Sequence, residues 1–138
     1  MSAIIIDYDI EMKNGSDPST STAVTNLNAD AYSIIMPVTR AFMGAIVINT
    51  SSGTAAGKFF IQASNDFVMA DDAADLDRVN SENLVTNWAT IEERSVGTAD
   101  VANLFQLSDI GYRWVRVFYD STSGTSTVSS ARANFKGY

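Results

Sequence analysis

A chain of 138 residues with nine Lys and Arg against sixteen Asp and Glu carries a formal charge of −7, and that acidity argues against nucleic acid or an anionic membrane as partner. At 46% hydrophobic and 18% charged residues it can bury a core as one domain spanning 1–138. Cysteine and histidine are both absent, which excludes disulfides, thiolate and imidazole nucleophiles, and the ligands that zinc and copper sites usually need. No cofactor and no enzymatic activity are expected.

The first twelve residues, "MSAIIIDYDIEM", alternate with period two: Ile4, Ile6, Tyr8, Ile10 and Met12 share one face, and Asp7, Asp9 and Glu11 the other. They predict a half-buried strand. The segment has no basic region, so it does not read as a signal peptide, and no apolar run nears the ~20 residues of a membrane helix. The expectation is a soluble chain outside the secretory route. "KNGSDPSTST" then reads as a loop. "AVTNLNA" and "YSIIMPV" follow as strands, the second at an edge or strand end because Pro37 cannot donate to a ladder. "AFMGAIVINT" and "KFFIQASND" read as a buried hairpin around "SSGTAAG".

Residues 66–83 break the strand pattern. The stretch is polar and carries Asp71, Asp72, Asp75 and Asp77, which predicts an exposed, mobile loop with at most a turn or two of helix, Leu76 and Val79 facing inward. The four aspartates are candidates for a Ca²⁺ loop, but their spacing is not that of an EF-hand, and a solvated acidic loop is the preferred reading. Glu92 and Glu93 are adjacent on a predicted strand and point to opposite faces, so they cannot act as a glycosidase pair.

Strands resume with "LVTNWATIEE" and "ANLFQL", and "GYRWVRVFYDSTSGTSTVSSARANFKGY" closes the chain as a hairpin. In its first strand Arg113, Val115, Val117 and Tyr119 share one face and Tyr112, Trp114, Arg116 and Phe118 the other. Both faces are largely apolar, which predicts a central strand with one face on the core and the other covered by a layer or by arginine stems over aromatics. Tyr112, Trp114 and Arg116 are candidates for a contact surface or a sugar platform, against core packing as the plainer reading. Roughly eight strands with turns every ~8–12 residues predict an antiparallel sandwich or barrel. Its core is expected to contain Val115, Val117, Tyr119, Ile46, Ile48 and Phe60.

"FFIQASND", then Trp88, then "LFQLSDIGYRWVRVFY" resembles the discoidin-type jelly rolls of the galactose-binding-like superfamily. The stretch "SDIGYRWVRVFYDSTSGTSTVSSARANFKG" also looks like small β-sandwich proteins of bacteriophage virions. The likeness covers about residues 58–138. It implies an all-β antiparallel sandwich of jelly-roll type. Two functions follow from it: a structural virion component such as a capsid decoration or fibre protein, assembled in the host cytoplasm, or a carbohydrate-binding module. The implied partners are copies of itself and other virion proteins, or a glycan. The N-terminal strand is either the oligomerising contact, through Ile4, Ile6, Tyr8 and Ile10, with Asp7, Asp9 and Glu11 guarding it against indiscriminate pairing, or simply another strand in the monomer's own sheet.

Overall fold

The alternating segments fold as strands, but the chain deals them out between two layers. The computed structural model describes residues 4–97 and 100–137. Among these, eleven strands form: β1 (Ile4–Asp9), β2 (Met12–Lys13), β3 (Ala23–Val24), β4 (Ala31–Ser33), β5 (Met36–Pro37), β6 (Ala41–Thr50), β7 (Ala56–Ser64), β8 (Ala89–Ser95), β9 (Val101–Ser108), β10 (Trp114–Ser123) and β11 (Val128–Gly137). Two short helices, α1 (Ala70–Ala73) and α2 (Leu76–Ser81), lie between β7 and β8. The strand count exceeds expectation because the stretch between β1 and β6 is cut into four short pieces.

One sheet has the order β1-β11-β6-β9, and the seven-stranded sheet runs β3-β2-β4-β10-β7-β8 with β5 paired to β10. The antiparallel pairs are nested: β1 with β11, β4 with β10, β6 with β9, β7 with β8. That is one long hairpin rolled up, and rolling adds the lateral pairs β11–β6 and β10–β7. The fold is therefore an antiparallel β-sandwich of jelly-roll type.

Neither expected hairpin forms. β6 and β7 lie in different sheets, as do β10 and β11. Had β11 paired with β10, its inward row of Ala131, Ala133 and Phe135 would lie beside Val115, Val117 and Tyr119 rather than across the core from them. All six are buried, and opposing the two rows closes the core between layers. Gly124 serves that crossing: its φ of 72° is in the left-handed region, and a Cβ there would strike the Thr54 carbonyl.

The N-terminal strand is likewise shared between layers. β1 ends at Asp9 in the four-stranded sheet, and β2 begins at Met12 in the other. Ile6 and Tyr8 are half-buried and Ile10 is buried, so these three candidate contact residues face inward; Tyr8 meets Phe135 edge-on at 6.2 Å. Ile4 lies on β1, paired with Gly137, but its side chain is outside the described set. Outside face Ile5, Asp7 and Asp9.

Of the expected core, Val115, Val117, Tyr119, Ile46 and Ile48 are fully buried. Phe60 is not; Phe59 takes the inward place, its ring 5.0 Å from that of Tyr119. Lys58 and Gln62 share parity with Phe60, and that polar company marks the outer face. Tyr119 is buried, and its hydroxyl lacks a hydrogen-bond partner among the described residues; a Cβ on Gly57 would press into that hydroxyl. Burial pushes the phenol above its usual range.

In urea denaturation, Val117→Ala is expected to cost about 2 kcal/mol, from lost burial and a residual cavity. Tyr119→Phe removes an orphaned polar atom instead, and is expected to leave stability unchanged or raise it by up to ~1 kcal/mol. A loss of stability in Tyr119→Phe refutes the orphan assignment.

Candidate functional site

Two outer faces remain once the core is filled. On the seven-stranded sheet, β10 turns Trp114, Arg116 and Phe118 away from the core. The acidic segment folds over the Trp114 end. Ile35, Val79, Val85 and Trp114 form a second, small core there, with Leu84 and Trp88 against it. Residues 66–83 are largely exposed and carry the expected turns of helix with Val79 buried, and the apolar residues after them, Leu84 and Val85, complete a packed cap.

Two polar clasps pin this cap. The Asn80 side chain accepts from the Ile35 backbone N–H at 2.7 Å and donates to the Ile35 carbonyl at 3.1 Å, acting as a strand partner would. The Asp66 carboxylate accepts from the Thr86 and Asn87 backbone N–H groups and from Asn87 Nδ2, at 2.9, 3.1 and 2.8 Å. Trp114 Nε1 donates to the Asp66 carbonyl at 3.0 Å. The Thr86 amide, then the Asn87 side chain, hold the Asp66 pKa below its ordinary value.

The Ca²⁺ candidates are used locally. Asp72 pairs with Arg78 at 2.8 Å, and Asp75 caps α2 by accepting from the Arg78 N–H. Asp71 and Asp77 are exposed. Among the described residues no group of three or more acids converges as an ion would require.

Arg116 is only 8% exposed. Its guanidinium lies 4.4 Å from the Trp88 ring and 4.9 Å from that of Tyr32. Nε donates to Gln62 Oε1 at 2.8 Å, and a longer bond reaches the Ser16 carbonyl at 3.5 Å. Burial lowers its pKa to about 10, which leaves it charged at neutral pH. Beyond it Tyr32, Phe118 and Phe60 stack across three strands, with centroids 4.5 and 5.8 Å apart and planes 14° and 21° from parallel. Phe118 is enclosed between the other two rings, and the Arg116 guanidinium lies by Tyr32. Tyr112 lies before β10 begins and packs on the main core instead. Trp114 and Arg116 are therefore buried within the chain, and Tyr112 is half-buried against its core.

The other outer face belongs to the four-stranded sheet. Register brings Met43, Ala45 and Val47 of β6 between Lys136, Asn134 and Arg132 of β11 and Ser108, Gln106 and Leu104 of β9. On the far side β1 adds Ile5, Asp7 and Asp9. Small Ala45 lowers the floor, and shallow hollows of about 360 and 510 Å³ meet there. Asn134 bonds Asp7 at 2.5 Å and Arg132 pairs with Asp9 at 3.3 Å, so the charges are balanced within the face. Ile5, Met43 and Leu104 stand 61, 42 and 44% exposed. Sequence reading missed this set because it looked for the contact on the row of Ile4, Ile6, Tyr8 and Ile10 and did not follow the acids' row to Ile5. The acids at Asp7 and Asp9 were the signal, since Ile5 shares their parity.

Comparison with protein-family models, curated proteins and solved structures finds no match. On the four-stranded sheet the geometry is one of apolar points in a charge-balanced polar setting.

The Asp66 clasp has a pH signature. A depressed folded pKa stabilises above the ordinary carboxylate value of 3.8 and is lost as pH falls through the folded value. The melting-temperature gap between wild type and Asp66→Asn is expected to be full at neutral pH and to close as the solution is acidified below about pH 4. A gap that does not change with pH refutes the clasp.

Proposed function

We propose that the protein is a non-enzymatic structural component of a bacteriophage-like virion, a capsid decoration or head or tail fibre protein, that works through protein–protein contacts. The observation that carries this reading is the outer face of the four-stranded sheet, where Ile5, Met43 and Leu104 stand exposed about the small Ala45 floor, with the balanced charges of Asp7, Asp9, Arg132 and Lys136 along its β1–β11 side. Apolar anchors inside a polar rim are what a protein interface requires. The architecture agrees, because jelly rolls serve as capsid and lectin domains. Between those two, the exposed apolar points of the four-stranded sheet favour the structural role over a carbohydrate-binding module.

The test is co-sedimentation of the purified protein with particles assembled without it, alongside a glycan array. Binding that Met43→Lys abolishes, with no glycan signal, is the expected outcome. A selective glycan signal without particle binding overturns the reading in favour of the carbohydrate module.

A further inference from the structure

A sandwich has four free strand edges, each a row of unpaired backbone groups that must be guarded or used. Among the described strands they are β1 and β9 in one sheet and β3 and β8 in the other, where the two-residue, proline-containing β5, paired to β10 alone, adds a short further edge. β3 is two residues long. β1 carries Asp7 and Asp9. β8 carries Glu92, Glu93 and Arg94 and is broken by a bulge between the partners of Ile61 and Gln62. Shortness, charge and bulging are the usual guards. β9 has none of them. Its eight residues, "VANLFQLS", include no charge and no proline, and its register with β6 runs unbroken from Ser108 to Val101. The nearest acids, Asp100 and Asp109, lie outside the strand.

We propose that β9 is a pairing edge for a second copy of this chain, the two β9 strands meeting antiparallel about a two-fold axis at Leu104. The occupant follows from the edges available. An uncharged, unbulged strand is best matched by another, and among the described edges of this chain only β9 qualifies. The backbone is oriented for it. Arg94 donates to the Leu104 carbonyl at 2.9 Å, so that carbonyl points outward. By antiparallel alternation the N–H and C=O groups of Ala102 and Gln106 point the same way. With Leu104 on the axis, Ala102 of each copy meets the partner's Gln106, and no charged residue of either strand is placed opposite another. Two four-stranded sheets become continuous, and the exposed face described above is doubled in extent. Glu92, Glu93 and Arg94 of β8 border this edge beside Leu104 and Phe105, and Arg94 is a cap that withdraws when the strand pairs.

The inference rests on reading the protein as one that acts through protein–protein contacts, and its test is separable from that reading. The chain contains no cysteine, so a single one reports cleanly. Hydrogen-bonded antiparallel partners lie about 5.5 Å apart at Cα, within disulfide reach. Leu104→Cys is expected to give a covalent dimer on mild oxidation, and Ile5→Cys on the β1 edge is not. By sedimentation velocity the wild type is expected to dimerise, Leu104→Lys to weaken the dimer at least about tenfold with unchanged circular dichroism and melting, and Arg94→Ala to tighten it. A wild type monomeric up to high-micromolar concentration overturns the edge pairing, as does a dimer indifferent to Leu104→Lys. If that monomer still binds particles, the functional reading stands without the pairing.

Discussion

A strand that is apolar on both faces cannot leave either face in water, and β10 is such a strand. Val115, Val117 and Tyr119 look into the sandwich, while Trp114, Arg116 and Phe118 look away from it. The inner requirement is met by the opposing sheet. The outer one is met piece by piece along the strand. The helical cap covers Trp114, Trp88 and Tyr32 sandwich the Arg116 guanidinium, and the flanking rings of Tyr32 and Phe60 enclose Phe118. The cap between β7 and β8 is thus the third layer that one strand demands.

The price of burying a guanidinium without a carboxylate is desolvation, which is why its pKa falls. Two ring faces and the Gln62 oxygen compensate in part. The acidic residues are distributed by the same logic. Those in the cap do local work, Asp66 holding the returning chain and Asp75 starting a helix, while Asp7 and Asp9 lie on the other sheet against Asn134 and Arg132. The excess negative charge is therefore dispersed, and the four-stranded sheet keeps a nearly neutral outer face.

Strand character was legible from period two because side-chain alternation is local to each strand. The double burial of β10, the arginine cover over aromatics and the inward Val79 could all be read from the order of residues. The closure of the loop into a cap could not, because Asn80 grips Ile35 and Asp66 grips Asn87 across long stretches of chain. For the candidate face parity was available and set Ile6, Tyr8 and Ile10 against Asp7 and Asp9, but it was not followed to Ile5, which shares the acids' row, and it was misapplied at Phe60, which shares its row with Lys58. A polar neighbour two residues away marks the outer side more reliably than the most apolar row does.

By itself the sequence determined the all-β class, which residues share a strand face, and the chemistry that His and Cys would have supplied and their absence withholds. Tertiary structure alone decided which strands are neighbours. The closing segments look like a hairpin, yet β10 pairs with β4 and β7, while β11 pairs with β1 and β6. The backbone hydrogen bonds of a strand are satisfied equally well by any partner in register, so alternation cannot name one. The choice falls to the arrangement that sets every apolar inner row against another across the core, and that is a property of the whole rolled chain.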